Sequence, residues 1–156
     1  MTMVVTSAAF RSGLDIPPRY TCDGENVSPP LTWSGTPPGA KSLALICEDP
    51  DAPSGNWVHW VVFGLPPTVT AIPEGVKRDQ SVLAGAKLGK NDFKEARYGG
   101  PCPPEGKAHR YFFRVFALDH ELGLKDGATR DEVMHAMEGH VLARGETMGT
   151  YARHTR

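Results

Sequence analysis

The sequence predicts a single, mainly β domain made of short antiparallel strands joined by long, shaped loops. Its 156 residues are enough for one hydrophobic core, because two cores would leave too few residues for each. The 17 glycines and 14 prolines make up about a fifth of the chain, against roughly an eighth in average proteins. Because interior glycine and proline weaken helices, this composition excludes an all-helical bundle.

Three apolar runs bounded by glycine or proline predict the main strands. They lie at 42–47, 58–65 and 109–118, and the third is the richest in aromatic and β-branched residues. Weaker strand signals are found in four further segments, at 3–10, near 31–34, near 81–84 and at 146–152.

One helix is predicted in the part of the chain after Pro104, which contains no proline. Thr129 and Glu132 have the spacing of a capping box, with Thr129 as the N-cap. An apolar face follows at i, i+4 and i+8, and it predicts a helix that ends near residue 142: Val133, Met137 and Val141.

Charge and hydropathy exclude two classes of partner. The 17 basic and 18 acidic residues give a formal net charge of -1, so no global field attracts nucleic acid or an anionic membrane. No stretch approaches ~20 apolar residues, so no membrane span is predicted. The N-terminus lacks a basic signal-peptide region, and we expect a cytoplasmic protein. The three cysteines have no CxxC spacing and are expected to be free thiols: Cys22, Cys47 and Cys102.

Two carboxylates directly follow the first buried strand. Asp49 and Asp51 are two residues apart, with Pro50 as a stiff spacer, and Pro53 could adopt a cis peptide bond in a tight turn. Paired acids at a strand end could orient a histidine or bind a metal. The alternative is a turn with solvated acids, since Asp and Pro are common turn formers.

Two histidines lie within apolar strands. His59 is flanked by tryptophans, and His109 opens the third strand. They could converge on one pocket, or each could be a core histidine with a satisfied hydrogen bond. A second pair, His135 and His140, is five residues apart on the predicted helix and so would not share a metal-binding face.

The most unusual loop is 98–104, rich in glycine and proline. Such a loop can be a rigid anion nest of backbone N–H groups, or a plain crossover. Cys102 in this loop could be a nucleophile, but no cation or helix start lowers its pKa, which favours an inert thiol.

Together these motifs resemble the signature of the phosphatidylethanolamine-binding proteins, in particular the short bacterial and archaeal Raf kinase inhibitor-like branch of the YbhB/YbcL type. Segments 16–31 and 139–151 also resemble that branch, so the likeness covers nearly the whole chain. The motifs are Asp49-Pro-Asp-Ala-Pro53, Trp57-Val-His59-Trp, Gly100-Pro-Cys-Pro-Pro104 and His109-Arg-Tyr111.

The resemblance implies a large antiparallel sheet packed on a smaller one, with a few peripheral helices. It also implies one small pocket for anions such as phosphate, or for a phospholipid headgroup, with a cis bond between Ala52 and Pro53. A kinase or protease partner and a homodimer are implied as well. Many eukaryotic relatives have a second histidine where this chain has Val58, so the kinase-regulating role does not transfer directly. The implied pocket residues are Asp49, Asp51, Pro53, Trp57, His59, Gly100, Pro101, Cys102, Pro103, His109 and Tyr111.

Three functional hypotheses follow. The first is a non-enzymatic binding protein for small anions or phosphorylated headgroups, without a cofactor, which could modulate a kinase or a protease. The second is a metal-dependent phosphoester hydrolase that uses the two aspartates and two histidines. The third is an interaction protein with a vestigial pocket.

Overall fold

Eight strands form two antiparallel sheets in a computed structural model that describes residues 2–76 and 85–153. The strand predicted near 81–84 lies outside the described residues. A short 3-10 turn covers Pro18–Tyr20 and one α-helix, α1, covers Arg130–Met137. The strands are β1 (Val4–Thr6), β2 (Leu31–Ser34), β3 (Ser42–Asp49), β4 (Trp57–Leu65), β5 (Ala71–Ile72), β6 (Lys87–Leu88), β7 (His109–Leu118) and β8 (Val141–Tyr151).

The large sheet has the strand order β6-β4-β3-β7-β8, and the small sheet has the order β1-β2-β5. A hydrophobic core between the sheets contains residues of both, such as Trp33 from β2 and Leu45 from β3. A second core on the other face of the large sheet contains Ile46 from β3 and Val133 from α1. The predicted fold, mainly β with a large and a small antiparallel sheet, is confirmed.

Strand β3 lies at the centre of the large sheet, and all eight of its residues are buried. Alternate residues face opposite cores: Leu45 packs in the first and Ile46 in the second. Because both faces are covered, the strand reads in sequence as an unbroken apolar run. The run ends at Asp49. This residue lies on the same face of β3 as the other odd-numbered residues, which is the face toward the small sheet.

A β-bulge in β4 interrupts this alternation at His59. Cys47 of β3 pairs with Trp60, but the next residue, Glu48, pairs with Val58, so His59 is the extra residue. Trp60 packs in the first core and Val58 in the second. Strict alternation would therefore turn His59 toward the second core. The bulge instead places its ring 5.2 Å from that of Tyr111, a residue of the first core.

The helix is shorter than predicted, and its capping box is confirmed. Thr129 accepts a hydrogen bond from the Glu132 N–H, and the Glu132 side chain accepts one from the Thr129 N–H. The prediction of a helix to about residue 142 is wrong, because Gly139 has a φ of 76° and turns the chain into β8. Val141 is thus the first residue of a strand and is 41% exposed.

The cysteine prediction is wrong for two of the three residues. Cys22 and Cys102 form a disulfide, while Cys47 is free and buried. The two loops are 80 residues apart in sequence, and only the fold brings them together. The argument for a reducing compartment from free thiols therefore loses its basis. The helix that the structure describes is too short and polar to cross a membrane.

The predicted cis bond is also wrong, because every described peptide bond, including Ala52–Pro53, is trans. Gly55 supplies the sharp turn instead. Its φ is 106°, and its N–H donates to the Ala52 carbonyl over 2.9 Å.

Candidate functional site

A cavity of about 280 Å³ opens at one end of the large sheet, where β3 ends and where β4 and β7 begin. Strands β4 and β7 both flank β3, so their first residues meet the last residue of β3 at this edge. The cavity is lined by Asp49, Ala52, Pro53, Ser54, Trp57, His59, Phe93, Cys102, Pro103, Pro104, His109 and Tyr111.

Asp49 holds His109 in a fixed orientation. The His109 Nδ1 donates to Asp49 Oδ2 over 2.7 Å, and both side chains are buried. The other oxygen, Oδ1, accepts the backbone N–H of Asp51 over 2.7 Å. Asp49 therefore uses both oxygens to shape the site: one fixes the imidazole and the other fixes the turn after β3.

Gly99 holds His59 through two hydrogen bonds. The His59 Nδ1 lies 2.6 Å from the Gly99 carbonyl, which can only accept, so Nδ1 carries the proton. The Gly99 N–H donates in return to the His59 carbonyl over 2.9 Å. Burial lowers the pKa of His59, although the Gly99 carbonyl and the Asp49 charge favour the protonated ring. His59 is therefore neutral at pH 7.

Both imidazoles thus use Nδ1 to bind the protein and leave Nε2 for a ligand. In a neutral ring with Nδ1 protonated, Nε2 carries a lone pair and accepts a hydrogen bond. It donates to an anion only when the ring is protonated. The site can therefore bind a ligand that brings a proton, or an anion that binds as the ring takes up a proton.

Tyr111 contributes a hydroxyl with an unmet hydrogen bond. The residue is fully buried, and its oxygen has no hydrogen-bond partner among the described residues. Burial raises the pKa of Tyr111 well above its usual value, so the group is a neutral phenol. Buried polar groups without partners are rare in folded proteins and often mark functional positions.

Three of the predicted pocket residues do not line the cavity. Asp51 instead binds Arg110, whose backbone N–H, Nε and Nη2 donate to its carboxylate over 2.8–3.0 Å. These hydrogen bonds lower the pKa of Asp51 to about 2. The pair fastens the turn after β3 to the start of β7. The other two, Gly100 and Pro101, lie behind the rim, where they support it.

Of the two alternatives for this loop, the contacts disfavour the anion nest, because both glycine N–H groups already have partners. The Gly99 N–H donates to His59, as described above, and the Gly100 N–H donates to Asn26 Oδ1 over 2.8 Å. The Pro101 carbonyl accepts the Cys22 N–H over 3.1 Å. Cys102, which was expected to be an inert thiol, is in the disulfide and carries no thiol.

Four cavity residues and one supporting residue are absent from the sequence prediction. Phe93 lies at the mouth, with its ring 5.6 Å from the rings of both Trp57 and His59. It comes from an irregular segment with no periodicity, so no sequence signal indicates its position. The others are Ala52, Ser54 and Pro104, which line the cavity, and Gly99, which holds His59.

The metal-binding hypothesis requires several donor atoms to converge. In the part of the chain that the structure describes, one set of three His, Cys, Asp or Glu donors has ligand atoms within 4.8 Å of one another: Asp119, His120 and His140. The cavity residues do not form such a set.

Comparisons with known proteins agree with this architecture. The profile of the family described as phosphatidylethanolamine-binding protein matches residues 6–152. A UPF0098 protein of Methanothermobacter thermautotrophicus is 52% identical over 151 residues, which cover 97% of this chain and 99% of the relative. A similar UPF0098 protein of Aquifex aeolicus is 47% identical over 153 residues, 97% of this chain and 89% of the relative.

Two crystal structures have the same fold. Escherichia coli YbcL, described as a member of the mammalian PEBP family, has a TM-score of 0.91 and 37% identity, covering 98% of this chain and 99% of YbcL. A phosphatidylethanolamine-binding protein homologue from Chlamydia trachomatis has a TM-score of 0.88 and 43% identity, covering 97% of this chain and 98% of the homologue. From the family profile, these relatives and the shared fold, the chain belongs to the phosphatidylethanolamine-binding protein family.

Proposed function

We propose that the cavity binds a small anion or a phosphorylated headgroup, without chemical conversion of the ligand. The observation that supports this most strongly is the pair of buried imidazoles, His59 and His109, each held through Nδ1 on the wall of one cavity. Two Nε2 atoms and a buried phenol, Tyr111, offer polar groups to a ligand within an otherwise largely apolar lining.

The charge of the lining requires a proton to accompany the anion. Asp49 is the charged carboxylate in the lining, and no described lysine or arginine joins it. The nearby cation Arg110 is engaged with Asp51. An unaccompanied anion would meet a negative site, so binding is favourable when a proton sits on an imidazole or on the ligand.

The dimensions favour a small ligand. A volume of about 280 Å³ is just below the range of cavities that enclose drug-sized molecules. The rings of Trp57 and Phe93 form an aromatic wall at the mouth, where an ammonium group could lie against a ring face. A zwitterionic phosphoethanolamine combines this ammonium with the anion that the imidazoles bind.

The disulfide at Cys102 supports binding rather than catalysis. Cys102 is bonded to Cys22, so it has no thiolate with which to attack a ligand. The two aspartates of the hydrolase hypothesis hold a histidine and an arginine, in the roles described above.

Calorimetry in the presence of a chelator tests the proposal. Phosphate, phosphoethanolamine and acetate are titrated into wild type and into the His59→Gln and His109→Gln variants, with His135→Gln as the matched control. His135 is 85% exposed on α1 and does not line the cavity. We expect millimolar or tighter binding that each cavity variant weakens at least tenfold and the control leaves unchanged. Equal affinity in all four proteins would refute the proposal.

A further inference from the structure

A second cluster of polar side chains lies at the opposite end of the large sheet from the cavity. Strand β7 begins at His109, beside the cavity, and ends at Leu118, nine residues later. At ~3.3 Å per residue the two ends are about 30 Å apart. Asp119 and His120 follow Leu118 directly, and His140 directly precedes β8. The cluster is thus separate from the proposed anion site.

The pairing of β7 with β8 brings these residues together. The two strands are antiparallel, and the last residue of β7, Leu118, pairs with Val141. The Asp119 N–H donates to the His140 carbonyl over 3.0 Å, which extends the ladder by one step. The Ser42 hydroxyl donates to the His120 carbonyl over 2.7 Å, so the first residue of β3 also supports the cluster. The three residues lie just outside the strands, and these hydrogen bonds fasten them to the sheet.

We propose that Asp119, His120 and His140 bind a divalent transition-metal ion of the Zn²⁺, Co²⁺ or Ni²⁺ class. One ligand atom from each residue lies within 4.8 Å of the other two. Two imidazole nitrogens and one carboxylate oxygen are the donors that these ions prefer, whereas Mg²⁺ and Ca²⁺ prefer oxygen alone.

The distances within the cluster fit such an ion after small side-chain adjustments. His140 Nδ1 lies 2.8 Å from Asp119 Oδ1, and His120 Nδ1 lies 3.6 Å from the same oxygen. Ligands at 2.0–2.1 Å from a tetrahedral ion are about 3.3 Å apart, between these two values. The side chains are 37–43% exposed, which leaves room for water to complete the coordination.

An unmet hydrogen bond within the cluster points to a ligand independently. His120 Nδ1 is a buried atom with no hydrogen-bond partner among the described residues. Its ring also stacks on that of His140, with centroids 3.8 Å apart. A shared metal ion would use the unpartnered nitrogen.

The sequence prediction considered His140 as a metal ligand only together with His135, and on a wrong premise. His140 was expected on the same helix as His135, but the helix ends at Met137 and His140 directly precedes β8. The relevant partners, Asp119 and His120, are about 20 residues upstream and meet His140 only through strand pairing.

The test measures metal binding to tag-free, chelator-treated protein. Zn²⁺ and Co²⁺ are titrated by calorimetry into wild type and into four variants, with circular dichroism to show that each variant is folded. We expect one ion per chain in wild type and at least a tenfold loss of affinity in His140→Gln and Asp119→Asn. The His135→Gln control on α1 and the His109→Gln control in the cavity keep wild-type affinity.

A spectroscopic measurement locates the ion. Co²⁺ is expected to broaden the imidazole NMR signals of His120 and His140 and to leave those of His59 and His109 sharp. The proposal is overturned if wild type shows no saturable binding up to 1 mM, if His140→Gln binds as tightly as wild type, or if His109→Gln loses the ion. Because phosphate binding is measured with chelator present, the anion-site proposal and the metal-site proposal are tested separately. Either one can be refuted while the other stands.

Discussion

Removal of the Cys22–Cys102 disulfide is expected to cause a large loss of stability. The bond closes a loop with a sequence separation of 80 residues. In the chain-entropy description, a cross-link over a loop of that length destabilises the unfolded state by about 4.5 kcal/mol at 25 °C. Small domains have a total unfolding free energy of only ~5–15 kcal/mol, so this bond would account for a substantial share.

Guanidinium denaturation of wild type and of the Cys22→Ser/Cys102→Ser variant measures this contribution. With a slope of roughly 4 kcal/mol/M, we expect the midpoint to fall by about 1 M. Both positions are at least partly exposed, so serine itself adds little cost. The control is the double variant with added reductant. Its midpoint should not change, because the remaining cysteine, Cys47, forms no disulfide.

Thiol counting in denatured, non-reduced protein checks the premise. We expect one thiol per chain, from Cys47. Three thiols would show that the disulfide does not form. If the bond is present and the double variant unfolds within about 1 kcal/mol of wild type with the same slope, the loop-entropy reasoning is refuted.

Four further outcomes are expected. Thr129→Ala removes the N-cap of α1 and should cost about 1 kcal/mol in thermal or chemical denaturation, while Thr129→Ser should restore wild-type stability. Gly100→Ala places a Cβ 2.3 Å from the Tyr20 carbonyl oxygen and should weaken both folding and phosphate binding. Gly39→Ala, whose Cβ would meet only a side-chain atom at 3.9 Å, is the matched control and should stay within about 0.5 kcal/mol of wild type. Tyr111→Phe removes an unpartnered hydroxyl and should leave stability within about 0.5 kcal/mol of wild type; a loss above 2 kcal/mol would reveal a partner. Because burial keeps His59 neutral and binding takes up a proton, acetate affinity should rise up to tenfold per unit as pH falls from 8 to 6, and a flat calorimetric profile would contradict the proton-coupled site.

The strands could be predicted where local pattern and tertiary context agree. The run at 109–118 coincides with β7, because it is dense in aromatic and β-branched residues, which favour strands. The helix end could not be predicted in the same way. Val141 continues the apolar spacing of α1, but pairing with Leu118 makes it a strand residue instead.

Only part of the cavity could be predicted from the sequence. The apolar runs showed that His59 and His109 lie near strand ends, but only the family resemblance implied that they share a pocket with Asp49. The roles of Asp51 and of the loop glycines depend on partners far away in sequence, such as Arg110 and Asn26. Spacing alone carries no information about those contacts.

The bulge at His59 makes the length of β4 a determinant of the site. Deleting Val58 would remove this bulge and leave His59 opposite Glu48, with Trp57 still opposite Asp49. Regular alternation would then turn the His59 side chain away from the cavity and toward the second core. A scan of substitutions would not detect this dependence, whereas single-residue insertions and deletions would reveal it directly.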